Sequence, residues 1–241
     1  MSGKNDTLHL DGLVVAKDLD GITMFFSKDP PQHETDTHHL VKASVSIVET
    51  GEYWTETGIC DMAFRNCREL VGIEIPDADF IGSAAFFGCD SLEELHIPAS
   101  IRTIDYGITA GCAGLKTISV DPDNSHYCSP PGSNCIVSKH HACFYYKKEL
   151  LAKGKELISV CRGSVIPDVA IIGQSVFTGI PFADADGTII LPDSVRAVRR
   201  YAFFDCPNLQ KVIGRGVIIA SESCARKGTV LEFSKDCRFI D

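Results

Sequence analysis

The chain has 241 residues, 44% of them hydrophobic, and carries 23 Lys and Arg against 32 Asp and Glu for a formal net charge of -9. This length fits one elongated domain or two small ones, and the acidic balance, with no basic cluster longer than Lys147-Lys148, argues against a nucleic-acid partner. No apolar run is long enough to span a bilayer, and Met-Ser-Gly-Lys-Asn-Asp leads into no apolar stretch, so the chain as given has no secretory signal and reads as cytoplasmic unless a signal has been removed.

In chain order, residues 1–58 are expected to cap the remainder of the chain. Leu8-His-Leu10 with Gly12-Leu-Val-Val-Ala16, then Gly21-Ile-Thr-Met-Phe-Phe26, predict two short strands, with a turn at Asp18-Leu-Asp-Gly21. Residues 27–39, with Pro30-Pro31 and His33, His38 and His39, are expected to form a polar surface loop.

From Ile59 the chain repeats. The fullest copy runs from Ile81 to Ile104, with Ala85-Phe86, Cys89, Leu92, Leu95 and Ile97-Pro98 in fixed slots. The copy before it has Ile59, Ala63-Phe64, Cys67, Leu70, Ile73 and Ile75-Pro76. The copy after it is looser, with Ile104, Cys112, Leu115, Ile118 and Val120, and with Ile108-Thr109 in place of Ala-Phe. Residues 121–165 form an irregular central insert, in which Ala142 to Leu151 suits either a lengthened hairpin or a short helix. The frame returns at Ile172 with Val176-Phe177, Ile189 and Leu191-Pro192, and at Val198 with Ala202-Phe203, Cys206, Leu209 and Val212. A degraded last copy starts near Ile219, with Val230 and Phe233 in the two Leu slots. Residues 179–187 should bulge from one face, since they lengthen their copy.

Each copy has two textures. Leu92-x-x-Leu95-x-Ile97 alternates at its end, as a strand with one buried face does, and Pro98 stops it. Ala85-Phe86-x-x-Cys89-x-x-Leu92 spaces its apolar residues by three, which predicts one or two turns of α or 3-10 helix. One such unit cannot bury its own apolar side, but stacked copies can. The expected fold is therefore an α/β repeat: a right-handed solenoid, with short parallel strands on the concave face and short helical or 3-10 turns on the convex face.

Of the eleven cysteines, Cys67, Cys89, Cys112 and Cys206 share one slot, three residues before Leu70, Leu92, Leu115 and Leu209. They are expected to be buried free thiols acting as small hydrophobes. Asp184-Ala-Asp-Gly-Thr188 spells an aspartate-nucleophile motif but falls within a repeat, and Asx-rich turns account for it and for Asp121, Asp123 and Asn124. Cys135, His140, His141 and Cys143 lack zinc-site spacing. Neither a metal nor a cofactor is expected.

Side chains alternate along a strand, so those between the buried positions must face outward. This predicts two rows: Gly72, Glu94, Thr117, Thr188 and Lys211, and beside it Glu74, His96, Ser119, Ile190 and Ile213. Curved repeat arrays bind partners on such surfaces. Phe144-Tyr145-Tyr146 is a second candidate contact, for which packing on the adjacent coil is the simpler role.

The frame resembles the BspA-like leucine-rich repeats of many bacterial surface proteins and some protists. The resemblance covers about Val45 to Phe233 and takes in a leader strand and turn, spelled by Ala43 to Ile47 and Gly51 to Ile59, and a long variant repeat with an extra hairpin, marked by Asn134-Cys-Ile-Val137 and Leu157 to Pro167. It implies the solenoid fold, a protein-binding habit and cell-surface attachment or secretion. It transfers no catalytic residue. The expected function is non-enzymatic binding of a protein or glycoprotein on the concave face. The alternatives are a passive scaffold, or a hydrolase with a site in the central insert.

Overall fold

The computed structural model describes residues 7–8, 43–49, 52–59, 61–68, 70–75, 78–146 and 148–240. The strands expected at 12–16 and 21–26, the turn between them and the loop at 27–39 lie outside the described residues. So does Cys60.

Each coil consists of an entry strand, a turn and an exit strand. Entry strands stack in parallel, with Glu52–Ile59 beside Phe80–Ile81 and Phe80–Ile81 beside Thr103–Ile104. Ala43–Glu49 pairs with Glu52–Ile59 in antiparallel fashion. Beyond the insert the row resumes through Glu156–Val160, Ile171–Ile172, Ala197–Val198, Ile219–Ser221 and Arg238–Ile240, all parallel. Exit strands form a second row, with Thr7–Leu8 beside Gly72–Ile73, Glu94–Ile97 beside Thr117–Val120, and Thr188–Ile190, Lys211–Gly214 and Val230–Phe233 side by side.

The turns correct the helical expectation: the described residues contain no α or 3-10 helix. A helix needs each amide to reach the carbonyl four residues back. Here alternate amides go instead to the next coil. Met62, Phe64 and Asn66 donate to the carbonyls of Ser83, Ala85 and Phe87, and Ala84, Phe86 and Gly88 to those of Tyr106, Ile108 and Ala110. The amides between them close tight local turns, Arg65 to Met62 and Cys67 to Phe64. This alternation requires left-handed backbone at two fixed positions per coil. One position holds Met62, Ala84, Gly107, Ser175 and Tyr201, and the other Asn66, Gly88, Gly111, Gly179 and Asp205, all with φ between 53° and 77°. The second set contains only the residue types that tolerate this region best.

The core lies between the rows. Phe64 stacks on Phe86 and Phe177 on Phe203, with ring centroids 5.4 and 5.1 Å apart. Between the two pairs the aromatic slot holds Thr109, whose hydroxyl bonds that of Ser159 from the insert, both buried. The shared cysteine slot holds free thiols, buried at Cys89, Cys112 and Cys206 and half-buried at Cys67. They are more than small hydrophobes. Cys89 donates to the Phe64 carbonyl and Cys112 to that of Phe86, each at 3.0 Å, and Cys206 donates to that of Ile180 at 3.3 Å.

The insert adds antiparallel strands, with Cys135–Ser138 between Tyr127–Cys128 and Glu156–Val160. It then projects a hairpin, Ala142–Tyr146 with Glu149–Gly154, so the hairpin alternative holds and the helix does not. Side chains mend the rows where the insert interrupts them. The Ile104 amide donates to the Tyr127 hydroxyl, and Asn134 accepts from the Ile118 amide and donates to the Lys116 carbonyl. Asn124, fully buried, bonds the Pro98 and Ile101 carbonyls and the His126 and Tyr127 amides.

The hairpin lies over the outer side of the entry row and forms a second buried layer there. Ala152 packs with Ile171, Ala197, Ile219 and Ile240, and Phe144 and Leu151 pack against them. Both faces of these strands are therefore apolar. This explains a one-residue slip in the last repeat, because Ala220, not Ile219, aligns with Val198 and Ile172. In the exit strand Leu231, not Phe233, stands beside Val212, and Val230 aligns with Lys211 and is 53% exposed.

Among the described residues the turn row crosses the insert by one of its three backbone bonds, from the Gly111 amide to the Thr178 carbonyl at 2.8 Å. Gly179 has φ of 68°, and a Cβ there would stand 2.6 Å from the Gly111 Cα. Gly179→Ala is expected to lower stability by more than the roughly 1–3 kcal/mol that backbone strain alone costs, read from denaturant unfolding. Burial pushes the thiols of Cys135 and Cys224 up to about 11 and about 12, against about 8.5 in an unfolded chain. The folded state holds these protons longer, so this contribution is full below the unfolded value and is lost as pH rises through the folded one. In reductant the unfolding midpoint should therefore fall between about pH 9 and pH 11, and the fall should be shallower in Cys135→Ala/Cys224→Ala.

Candidate functional site

The two predicted rows lie on the exit strands, and alternation sets their orientation. Along Glu94–Ile97 the exposed residues are Glu94 and His96, while Leu95 and Ile97 are buried. Glu94 stands opposite Thr117 and His96 opposite Ser119, and His96 Nδ1 and Ser119 Oγ share a hydrogen bond of 2.9 Å. Glu74 is exposed, whereas Gly72 is buried beside Thr7–Leu8.

The second group forms a separate three-stranded sheet. Thr188, Lys211 and Val230 align across it, as do Ile190, Ile213 and Glu232. Ile190 is 63% exposed, and Lys211 pairs with Glu232 at 2.6 Å. The predicted rows are thus not continuous. No backbone ladder among the described residues joins Thr117–Val120 to Thr188–Ile190, because the insert intervenes. Sequence reasoning missed Val230 and Glu232, since the slip in the last repeat hid their outward orientation.

A second arrangement, unforeseen in the sequence, lies where the hairpin meets the coils. Arg199 makes two hydrogen bonds to the Glu156 carboxylate, at 2.6 and 3.3 Å, and a third to the Cys143 carbonyl at 3.1 Å. Its guanidinium also stacks over Phe144 at 5.0 Å. The Glu156 side chain is only 12% exposed. Burial pushes its carboxyl upward, and Arg199 opposes the shift. A cleft of about 190 Å³ opens beside this pair, lined by Asp105, Tyr106, Gln174 and Arg199 among others. Burial, and then the charge of Asp61, raise the Asp105 carboxyl.

A thiol nucleophile needs a lowered pKa, whereas Cys135 is raised, and its hydrogen-bond partner is Ser133. His140 stacks edge-on against His126 and His141 is exposed. Asp186 accepts the Thr188 amide in an Asx turn, as the sequence implies. Among the described residues no three His, Cys, Asp or Glu gather where a metal could sit, and no helix is long and apolar enough to cross a membrane.

The sequence matches the family model described as BspA type leucine rich repeat region in six copies, over residues 55–147 and 163–229, well over half of the chain. The unmatched gap holds all of the returning hairpin strand Glu149–Gly154 and all of Glu156–Val160. No curated protein matches the chain. Among solved structures it is similar to a leucine rich cell surface protein from Faecalibacterium prausnitzii, at 22% identity over 69% of this chain and 48% of that one, with a TM-score of 0.49. It is also similar to the pneumococcal vaccine antigen PcpA, at 17% identity over 82% and 47% with a TM-score of 0.41. A leucine-rich repeat protein from Bacteroides ovatus gives 18% identity over 93% and 46%, with a TM-score of 0.38. The chain spans about half the length of these proteins.

Arg199→Ala should leave Glu156 buried without its counter-ion, at a cost of about 3–5 kcal/mol, and release the hairpin. Hydrogen exchange should rise across Ala142–Gly154 before it rises in the coils. Arg199→Met/Glu156→Gln should recover part of the stability, because no uncompensated charge remains.

Proposed function

The chain belongs to the BspA-type leucine-rich repeat family, and from that premise we propose that it is a non-enzymatic interaction module that binds a protein or glycoprotein through the outward face of its exit strands, at a cell surface. The observation that carries this is the three-stranded patch of Thr188, Ile190, Lys211, Ile213, Val230 and Glu232. Apolar side chains stand exposed there beside a charged pair, on a backbone held in register on both sides. Exposed apolar groups rimmed by polar ones mark interaction sites, and repeat arrays present them on a rigid support. Glu74, Glu94, His96, Thr117 and Ser119 form the more polar flank of the same surface.

The test is capture of partners from host and self extracts by the intact chain, alongside two folded variants. Ile190→Ser/Val230→Ser should lose the partner. Glu94→Ala/His96→Ala should retain it with weaker binding. A partner held equally by all three would overturn the strand-face assignment. Capture of nothing by the wild type would favour a passive scaffold.

A further inference from the structure

Charge is unevenly distributed along the stack. Residues 61–123 contain eleven Asp and Glu against four Lys and Arg, whereas residues 196–227 contain seven Lys and Arg against two Asp and Glu. The N-terminal coils are acidic and a C-terminal coil is basic, within a chain of net charge -9.

The turn row brings this asymmetry onto one edge. Asp61, Ser83, Tyr106, Gln174 and Arg200 occupy the same place in five successive coils, each two residues past the buried entry residue. The ladder fixes the alignment. The Met62 amide reaches the Ser83 carbonyl, Ala84 that of Tyr106, and Ser175 that of Arg200. A Cβ on Gly107 would stand 3.2 Å from that of Ser175, so the third and fourth coils also touch here. With paired strands about 4.8 Å apart, Asp61 stands about 10 Å from Tyr106 and Gln174 about 5 Å from Arg200, and the cleft lined by Tyr106 and Gln174 lies between the two halves.

All five side chains reach solvent. Tyr106 is 52% exposed, and next along the edge Met62 is 50% and Tyr201 41% exposed. Asp61 Oδ1 accepts the Ser83 amide at 2.9 Å. Its charge has no ion-pair partner among the described residues, nor has that of Arg200, and the Gln174 amide and Tyr106 hydroxyl have no hydrogen bond there. Phe204 and Arg226 extend the edge at its basic end, with the guanidinium 5.6 Å from the ring centroid.

We propose that this edge is a self-complementary surface on which a second copy of the chain docks, antiparallel, about a two-fold axis through Tyr106. A two-fold interface sets residue i against j and j against i. Turning the strip about Tyr106 brings Asp61 opposite Arg200, Ser83 opposite Gln174 and Met62 opposite Tyr201, while Tyr106 meets its own copy. Each acidic end then faces a basic one, and the order of the five side chains needs no adjustment. Aromatic and arginine side chains carry much of the energy of interfaces, and charge complementarity fixes their register. The exit-strand face lies on another side of the coil, so this inference does not depend on the proposed function.

Sedimentation velocity of the full chain at high micromolar concentration tests it. Dimer is expected at about 10 mM salt and monomer at about 1 M, where screening is complete within about 3 Å. Asp61→Arg and Arg200→Asp should each be monomeric at low salt. Mixed one to one, they should recover the wild-type sedimentation coefficient, since both exchanged pairs are again opposite in sign. Tyr106→Cys should give a disulfide-linked dimer under mild oxidation, in excess of the wild type. A wild type that stays monomeric at low salt, a dimer that survives either single reversal, or reversed variants that stay apart when mixed would overturn the proposal.

Discussion

The structure depends on how the turn amides are shared between neighbours. In the regular coils every second turn amide bonds to the coil beside it, and the remainder bond within their own turn. No coil can satisfy its backbone alone, so the unit of stability is a pair of coils, as expected of a quasi-one-dimensional protein. The two left-handed positions per coil are the conformational requirement of that sharing. They explain why Asn, Gly or Asp recurs at the end of each turn, although no functional group is needed there. The buried thiols belong to the same scheme, giving the Phe64 and Phe86 carbonyls a second donor in a core that has no room for water.

The insert shows which contacts can be given up. Both strand rows stop at it, and Tyr127 and Asn134 supply from side chains the bonds that a backbone would have made. The turn row keeps one bond, and its third and fourth coils meet directly at Gly111 and Thr178. The hairpin then covers the outer face of the entry row, which buries Ile171 and Ala197 on the side opposite to the core. A loop became a structural layer because an unusually apolar outer face was available beneath it.

Much of this was legible in the sequence. The repeat frame, the six copies, the inward Leu and Ile positions and the shared cysteine slot all follow from spacing, because burial imposes it directly. What spacing could not give was the turn conformation. Apolar residues three apart suit a helical turn and an extended chain of tight turns equally well, and only the destination of the amides separates them. The last repeat was misaligned by one residue, since Ile219 and Ala220 are both buried, each against a different layer. Alternation places Glu94, His96, Thr117 and Ile190 outward, but Gly72 is buried, and the rows are not a continuous surface because their continuity depends on how the insert threads between them. Arg199, Glu156 and Cys143 are far apart in sequence, and nothing in their local composition marks the junction they make.

The thin turn-row link across the insert also has a mechanical meaning. Backbone bonds in the strand and turn rows resist bending wherever coils stack regularly, but among the described residues the third and fourth turns share one such bond, from Gly111 to Thr178. The junction is therefore a point of directed compliance, where a load along the stack displaces the side-chain bonds of Tyr127 and Asn134 further than those of the regular coils.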